Sequence, residues 1–130
     1  MVMLFDNFNL PEDIFEVVFA TKQQAIVAKV LISNLKQKQG VMNKTEMSEF
    51  ATTLHDGNMI ITLNEPPYNG KKAKLSYNKR QFYDRILTPM KSMGLIDYDL
   101  YKKVYKLSDQ FNKVLIHIGI MWLQEFRKAP

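Results

Sequence analysis

The sequence predicts an α+β domain that is mostly helical. Two capping boxes, Asn43-Lys-Thr-Glu46 and Asn78-Lys-Arg-Gln81, fix helix starts by side-chain chemistry. Between and after them lie short β-branched or alternating runs at 59–63, 71–76 and 95–107, which read as strands. The chain has 130 residues, 46% hydrophobic and 24% charged, enough for one core and little for two, so residues 1–130 are expected to form a single domain.

Taken in order, Asn9-Leu-Pro-Glu-Asp13 opens a first short helix, with Pro11 in its first turn and Ile14, Phe15, Val18 and Phe19 as its buried stripe. Residues 21–39 form a longer amphipathic helix with Ile26, Val27, Val30, Leu31 and Leu35 inward, ended by Gly40. The Asn43–Glu46 box starts the next, with Met42 and Met47 as its hydrophobic staple and Met47, Phe50, Ala51 and Leu54 facing the core. It closes at His55-Asp-Gly57.

The strand-like runs 59–63 and 71–76 flank Asn64-Glu-Pro-Pro-Tyr-Asn-Gly70, a stretch dense in turn formers. The second box follows, stapled by Tyr77 and Phe82. Its helix turns Phe82, Ile86, Met90 and Met93 to one face and Arg80, Gln81, Asp84, Thr88 and Lys91 to the other. Pro89 lacks a backbone donor and predicts a bend or break near Leu87, and Gly94 ends the helix. Residues 95–98 and 101–107 read as the arms of a hairpin. Ser108-Asp109 caps a last helix, whose Phe111, Leu115, Ile118 and Trp122 recur at helical spacing; alternation over 116–120 leaves a strand as the competing reading.

Charge is concentrated in one segment. Residues 68–106 hold ten lysines and arginines against three aspartates, a net +7, while the rest of the chain is slightly acidic. Tyr68, Tyr77, Tyr83, Tyr98, Tyr101 and Tyr105 are interleaved with these cations. Cations among aromatics suit a polyanion, because lysine and arginine neutralise phosphate and a tyrosine ring stacks on a base or bonds a phosphate oxygen.

Helix, capped helix, basic capped helix ending in Gly94-Leu-Ile96, lysine-bearing hairpin and final helix: this order resembles the winged helix-turn-helix domain of DNA-binding regulators. The resemblance covers residues 25–107 and is most specific over 78–107, where 82–96 looks like a recognition helix and 102–108 like the return strand of a wing. It implies double-stranded DNA as partner, with the helix 78–94 in the major groove and the wing 95–107 on the backbone or minor groove. The groove-facing residues it implies are Tyr77, Asn78, Lys79, Arg80, Gln81, Tyr83, Asp84 and Arg85, with Lys102 and Lys103 on the wing. Arg80 and Gln81 have the chemistry to read guanine and adenine.

The family joins its second and third helices by a short turn, whereas here residues 58–77 intervene. An inserted loop or hairpin is expected there, with Lys71, Lys72 and Lys74 on the DNA backbone. Residues 1–24 are then an N-terminal extension and 108–130 a dimerisation helix, apolar on more sides than one contact requires. Phe111, Leu115, Ile118, Trp122 and Phe126 are the interface candidates of a twofold homodimer.

Catalytic and metal chemistry finds little to stand on. With no cysteine there is no disulfide framework, thiolate zinc site or cysteine nucleophile. His55 and His117 are far apart, and His117, in an apolar stretch, reads as a core histidine. Phosphate loops and nucleophile elbows are absent, so neither enzymatic activity nor a cofactor or metal is expected. The first residues lack a signal-peptide pattern, and the apolar run 114–123 is about half of the roughly 20 residues that span a bilayer, so a cytoplasmic protein without a membrane partner is expected. Transcription regulation is the leading reading. A DNA-binding part of plasmid or viral replication or partition, and a protein-interaction module on the same fold, are the alternatives.

Overall fold

The computed structural model describes residues 5–62 and 70–130. Helix α1 (Ile14–Val18) begins later than Pro11 suggests, because Asp13 is the cap, accepting the Phe15 N–H at 2.9 Å while its carboxylate also pairs with Lys29 of the next helix. Of the expected stripe, Phe19 is buried and Phe15 and Val18 are half-buried, whereas Ile14 is exposed.

Thr21 caps helix α2 (Lys22–Gln37) by accepting the Gln24 N–H at 3.1 Å. The helix buries Ala25, Ile26, Val27, Ala28, Leu31 and Leu35, while Val30 is only partly covered. It ends in a Schellman turn, with Gly40 N–H bonded to the Leu35 carbonyl at 2.7 Å and Gln39 N–H to that of Lys36 at 3.1 Å. Gln39 as well as Gly40 therefore adopts a positive φ.

Strand β1 (Val41–Asn43) has no counterpart among the elements expected from the sequence. It passes directly into helix α3 (Lys44–His55), where the capping box forms in full: Asn43 Oδ1 accepts the Glu46 N–H at 2.8 Å and Glu46 Oε1 the Asn43 N–H at 3.0 Å. Met42 and Met47 are both buried, as are Phe50, Ala51 and Leu54.

Strands β2 (Met59–Thr62) and β3 (Lys72–Leu75) pair antiparallel with Ile60 opposite Lys74 and Thr62 opposite Lys72. Period-two alternation sends Ile61 and Leu75 into the core and leaves Lys72 and Lys74 exposed. Leu63 and the turn expected over 64–69, which includes Tyr68, lie outside the described residues.

From Lys79 to Ser92 the backbone is continuously helical: α4 (Lys79–Phe82), a π-helical turn (Tyr83–Leu87) and α5 (Thr88–Ser92). Proline at 89 brings no donor and crowds the carbonyl one turn back. The wide turn just before it, closed by Thr88 N–H on the Tyr83 carbonyl, relieves that crowding without breaking the helix. Phe82, Ile86, Leu87 and Met90 are buried, and the Phe82 ring lies 5.5 Å from that of Phe50 on α3.

Strands β4 (Ile96–Asp99) and β5 (Val104–Leu107) complete a three-stranded antiparallel sheet of order β1-β5-β4, with Tyr105 opposite both Met42 and Tyr98. The return arm thus starts at Val104 rather than 101, since residues 100–103 are needed for the turn. Helix α6 (Gln110–Arg127) settles 116–120 as helix. Of the expected Ser108-Asp109 cap, Ser108 Oγ accepts the Gln110 N–H at 3.1 Å, while the Asp109 side chain makes no capping bond. No residue of α6 is buried, so its apolar positions and His117 lie outside the core of this chain. No helix among the described residues is long and apolar enough to cross a membrane.

Candidate nucleic-acid interface

Helix α3 has a cationic structure fastened to each end. At its C-terminal end the Lys79 backbone N–H donates to His55 Nδ1 at 3.1 Å, and the Lys79 ammonium donates to Thr52 Oγ1 at 3.0 Å. Tyr77 N–H adds a bond to the Leu54 carbonyl at 3.0 Å. At its N-terminal end the Lys44 N–H donates to the Lys103 carbonyl at 3.1 Å, and Lys44, Thr45, Ser48 and Glu49 share a shallow groove of about 510 Å³ with Lys102 and Lys103. At 1.5 Å per residue, the twelve residues of α3 hold the two junctions roughly 17 Å apart.

At the start of α4, Asn78 Oδ1 accepts the Gln81 N–H at 3.0 Å, the Asn78 half of the expected box. Arg80, Asp84 and Arg85 are exposed, and Gln81 and Tyr83 are half-buried. Arg80 Nε is 3.8 Å from Asp84 Oδ2 with both side chains mostly in solvent, a contact too weak to hold the guanidinium away from a phosphate or base. Thr88 and Lys91 also face solvent.

The interleaved tyrosines separate by burial. Tyr77, expected at the interface, is only 6% exposed; it fills the core as the staple partner of Phe82. Tyr105 is likewise buried, its ring 4.5 Å from that of Tyr98, with the Lys91 ammonium 5.8 Å from the Tyr98 ring centre. Burial pushes the Tyr105 hydroxyl up in pKa, and the neighbouring Tyr83 and Tyr98 add to it. Among the described tyrosines, Tyr101, at 99%, is the exposed one.

Tyr101 sits in the turn between β4 and β5. Asp99 Oδ1 accepts the N–H of both Tyr101 (3.0 Å) and Lys102 (3.1 Å), and the Asp99 carbonyl accepts the Lys103 N–H at 2.7 Å. The Lys102 N–H above all, with that of Tyr101 and the charges of Lys106 and Lys102, holds the Asp99 carboxyl below its usual pKa. Lys103 closes the turn at φ +54°. Lys102 and Lys103 are both exposed, on the turn rather than on a strand. Aspartate heading a four-residue turn was the sequence signal for this geometry.

Lys71, Lys72 and Lys74 are exposed on the β2–β3 hairpin. The hairpin lies along α2: Met59 to Thr62 share a groove of about 390 Å³ with Lys29, Val30, Ser33, Asn34 and Gln37, and Gln23 Nε2 donates to the Ser76 carbonyl at 3.2 Å. The junctions of Lys79 and Lys103, by contrast, are with α3.

Among the interface candidates of α6, Phe111 is half-buried and Leu115, Ile118, Trp122 and Phe126 are exposed, the last two at 68% and 74%. The helix is rooted by Phe111 N–H on the Gly94 carbonyl at 3.1 Å. Among the described residues, no three His, Cys, Asp or Glu side chains gather as a metal site. No protein-family model, curated protein or solved structure matches the chain.

Proposed function

We propose that the chain is a winged helix-turn-helix domain that binds double-stranded DNA as a homodimeric transcription regulator. The observation that carries the reading is the pair of cationic structures at the two ends of α3, roughly 17 Å apart. Half a turn of B-DNA is also roughly 17 Å, the step from a major groove to the adjacent minor groove. A helix entering one groove at Asn78 to Arg85 therefore leaves the turn 100–103 over the other. Apart from the two strands β2 and β3 between α3 and α4, the order helix, strand, helix, helix and two-stranded hairpin, with the sheet order β1-β5-β4, suits this fold.

In this reading residues 25–107 are the winged-helix core, 58–77 the insertion and 108–130 the dimerisation helix. Arg80, Gln81, Asp84 and Arg85 face base edges, with Asn78, Lys79 and Tyr83 around them. Lys102 and Lys103 grip phosphate, and Lys71, Lys72 and Lys74 supply further backbone charge. The apolar side chains of α6 from Val114 to Phe126 are exposed in this chain, and the occupant proposed for them is α6 of a second copy.

Duplex affinity of the wild type, R80A and K102A/K103A at two salt concentrations tests the reading. The expected result is binding that weakens steeply with salt, with K102A/K103A lowering the slope by about 2. Absence of salt-dependent duplex binding by the wild type overturns it.

A further inference from the structure

The turn that carries Lys102 and Lys103 also carries two apolar side chains with nothing on them: Leu100 is 77% exposed and Tyr101 99%. Neither is there by looseness, because Asp99 takes three backbone N–H groups of this four-residue loop. A rigid apolar tip flanked by lysines fits a surface that is anionic at its rim and apolar within. The minor groove of duplex DNA is such a surface, phosphates outside and stacked bases inside, and apolar wedges enter it between base pairs.

We infer that Leu100 and Tyr101 form a wedge that enters a minor-groove base step and partly unstacks it. This rests on the DNA-binding reading above and goes beyond it, since lysines on a turn require only phosphate. With α4 in a major groove, the reading above leaves the tip over the adjacent minor groove. Lys102, Lys103 and Lys44, which share a groove, hold the adjacent phosphates. The rings of Tyr98 and Tyr105 are held against each other in the sheet, leaving Tyr101 as the tyrosine of this hairpin free to stack on a base.

Partial intercalation unwinds DNA, so the test is closed circular plasmid relaxed by a topoisomerase in the presence of protein, at equal occupancy for the wild type, L100S/Y101S and Y101F. Circular dichroism checks that each variant is folded. The expected result is a topoisomer shift with the wild type, kept by Y101F, and at most about half as large with L100S/Y101S, whose affinity falls roughly tenfold, the scale of one base stack removed. Plasmid binding without a shift, or an equal shift from L100S/Y101S, overturns the wedge and leaves DNA binding standing. No plasmid binding at all overturns both.

Discussion

The backbone N–H of Lys79 donates to Nδ1 of His55 at 3.1 Å, fastening the first residue of one helix to the last residue of another. A helix N-terminus has N–H groups without intrahelical partners, and here one is satisfied from a neighbouring helix. The bond fixes the angle at which Asn78, Lys79 and Arg80 leave α3. H55A is expected to cost only about 0.5 kcal/mol in denaturant unfolding, because water reaches the released amide. Its larger effect falls on duplex affinity, which drops as α4 loses its fixed orientation. Unchanged affinity in H55A would show that the tie has no part in binding.

Two caps of the same chemistry differ in completeness. Asn43 and Glu46 exchange both bonds, whereas Asn78 contributes one to Gln81. N43A and N78A are each expected to lower stability by about 1 kcal/mol, measured as a shift in denaturant midpoint at constant slope. N78A alone should also weaken DNA binding.

Acid should loosen the N-terminal end of α3 and the turn beside it, both parts of the proposed interface. The Asn43 N–H, helped by Lys38, holds the Glu46 carboxyl below its ordinary 4.5, and the Lys102 N–H holds that of Asp99 below its ordinary 3.8. A carboxyl lowered in the fold contributes stability above its ordinary pKa and loses it as pH falls through the lower folded value. Stability measured from neutral pH downward is therefore expected to decline below about 4.5. E46Q and D99N should flatten that limb.

Much of the helical framework was legible because local side chains write it: Asn43 and Glu46, Thr21, Met47 with Phe50 and Leu54, and Pro89 with its disturbed turn. The β2–β3 hairpin was equally readable from Ile61 and Leu75. What escaped was set by distant partners. Only Met42 of β1 is buried, too short a pattern to show, and the strand exists because Tyr105 pairs with it. Tyr77 and Tyr105 looked like ligand-facing aromatics since a tyrosine has the same sequence signature in a core and at a groove. The isolation of α6 was half visible, as apolarity too broad for one contact; the turn at Asp99 and Leu100 was legible too, whereas Tyr101 read as the start of a strand and is drawn into the turn by its backbone N–H on Asp99.

The root of α6 is a tight place. Gly94 has φ +85°, and a Cβ there would lie 3.0 Å from Gln110 Cβ and from the Phe111 nitrogen. G94A combines a strained backbone with a close approach to which the start of α6 must yield, and is expected to cost more than about 1 kcal/mol in thermal or denaturant unfolding. Wild-type stability in G94A would mean that the start of α6 moves freely.

Self-association is expected to run through the exposed face of α6. I118E and W122E should sediment as monomers at concentrations where the wild type is a dimer, with circular dichroism unchanged because neither side chain is in the core. A wild type that is monomeric at micromolar concentration would contradict the dimer.

Charge on the hairpin tests the insertion separately. K71A/K72A/K74A is expected to bind duplex more weakly and to lower the salt slope by up to about 3, one for each phosphate no longer neutralised. An unaltered slope would place these lysines, beside α2, outside the interface.

Selection of bound duplexes from a random pool, followed by the affinity of the winner and of a scrambled control at two salt concentrations, tests the central claim most directly. The account predicts an enriched palindrome whose half-sites lie about one helical turn apart, with a steep salt dependence. Direct repeats would point to replication or partition instead, and no enrichment together with no salt-dependent binding would contradict DNA recognition by this fold.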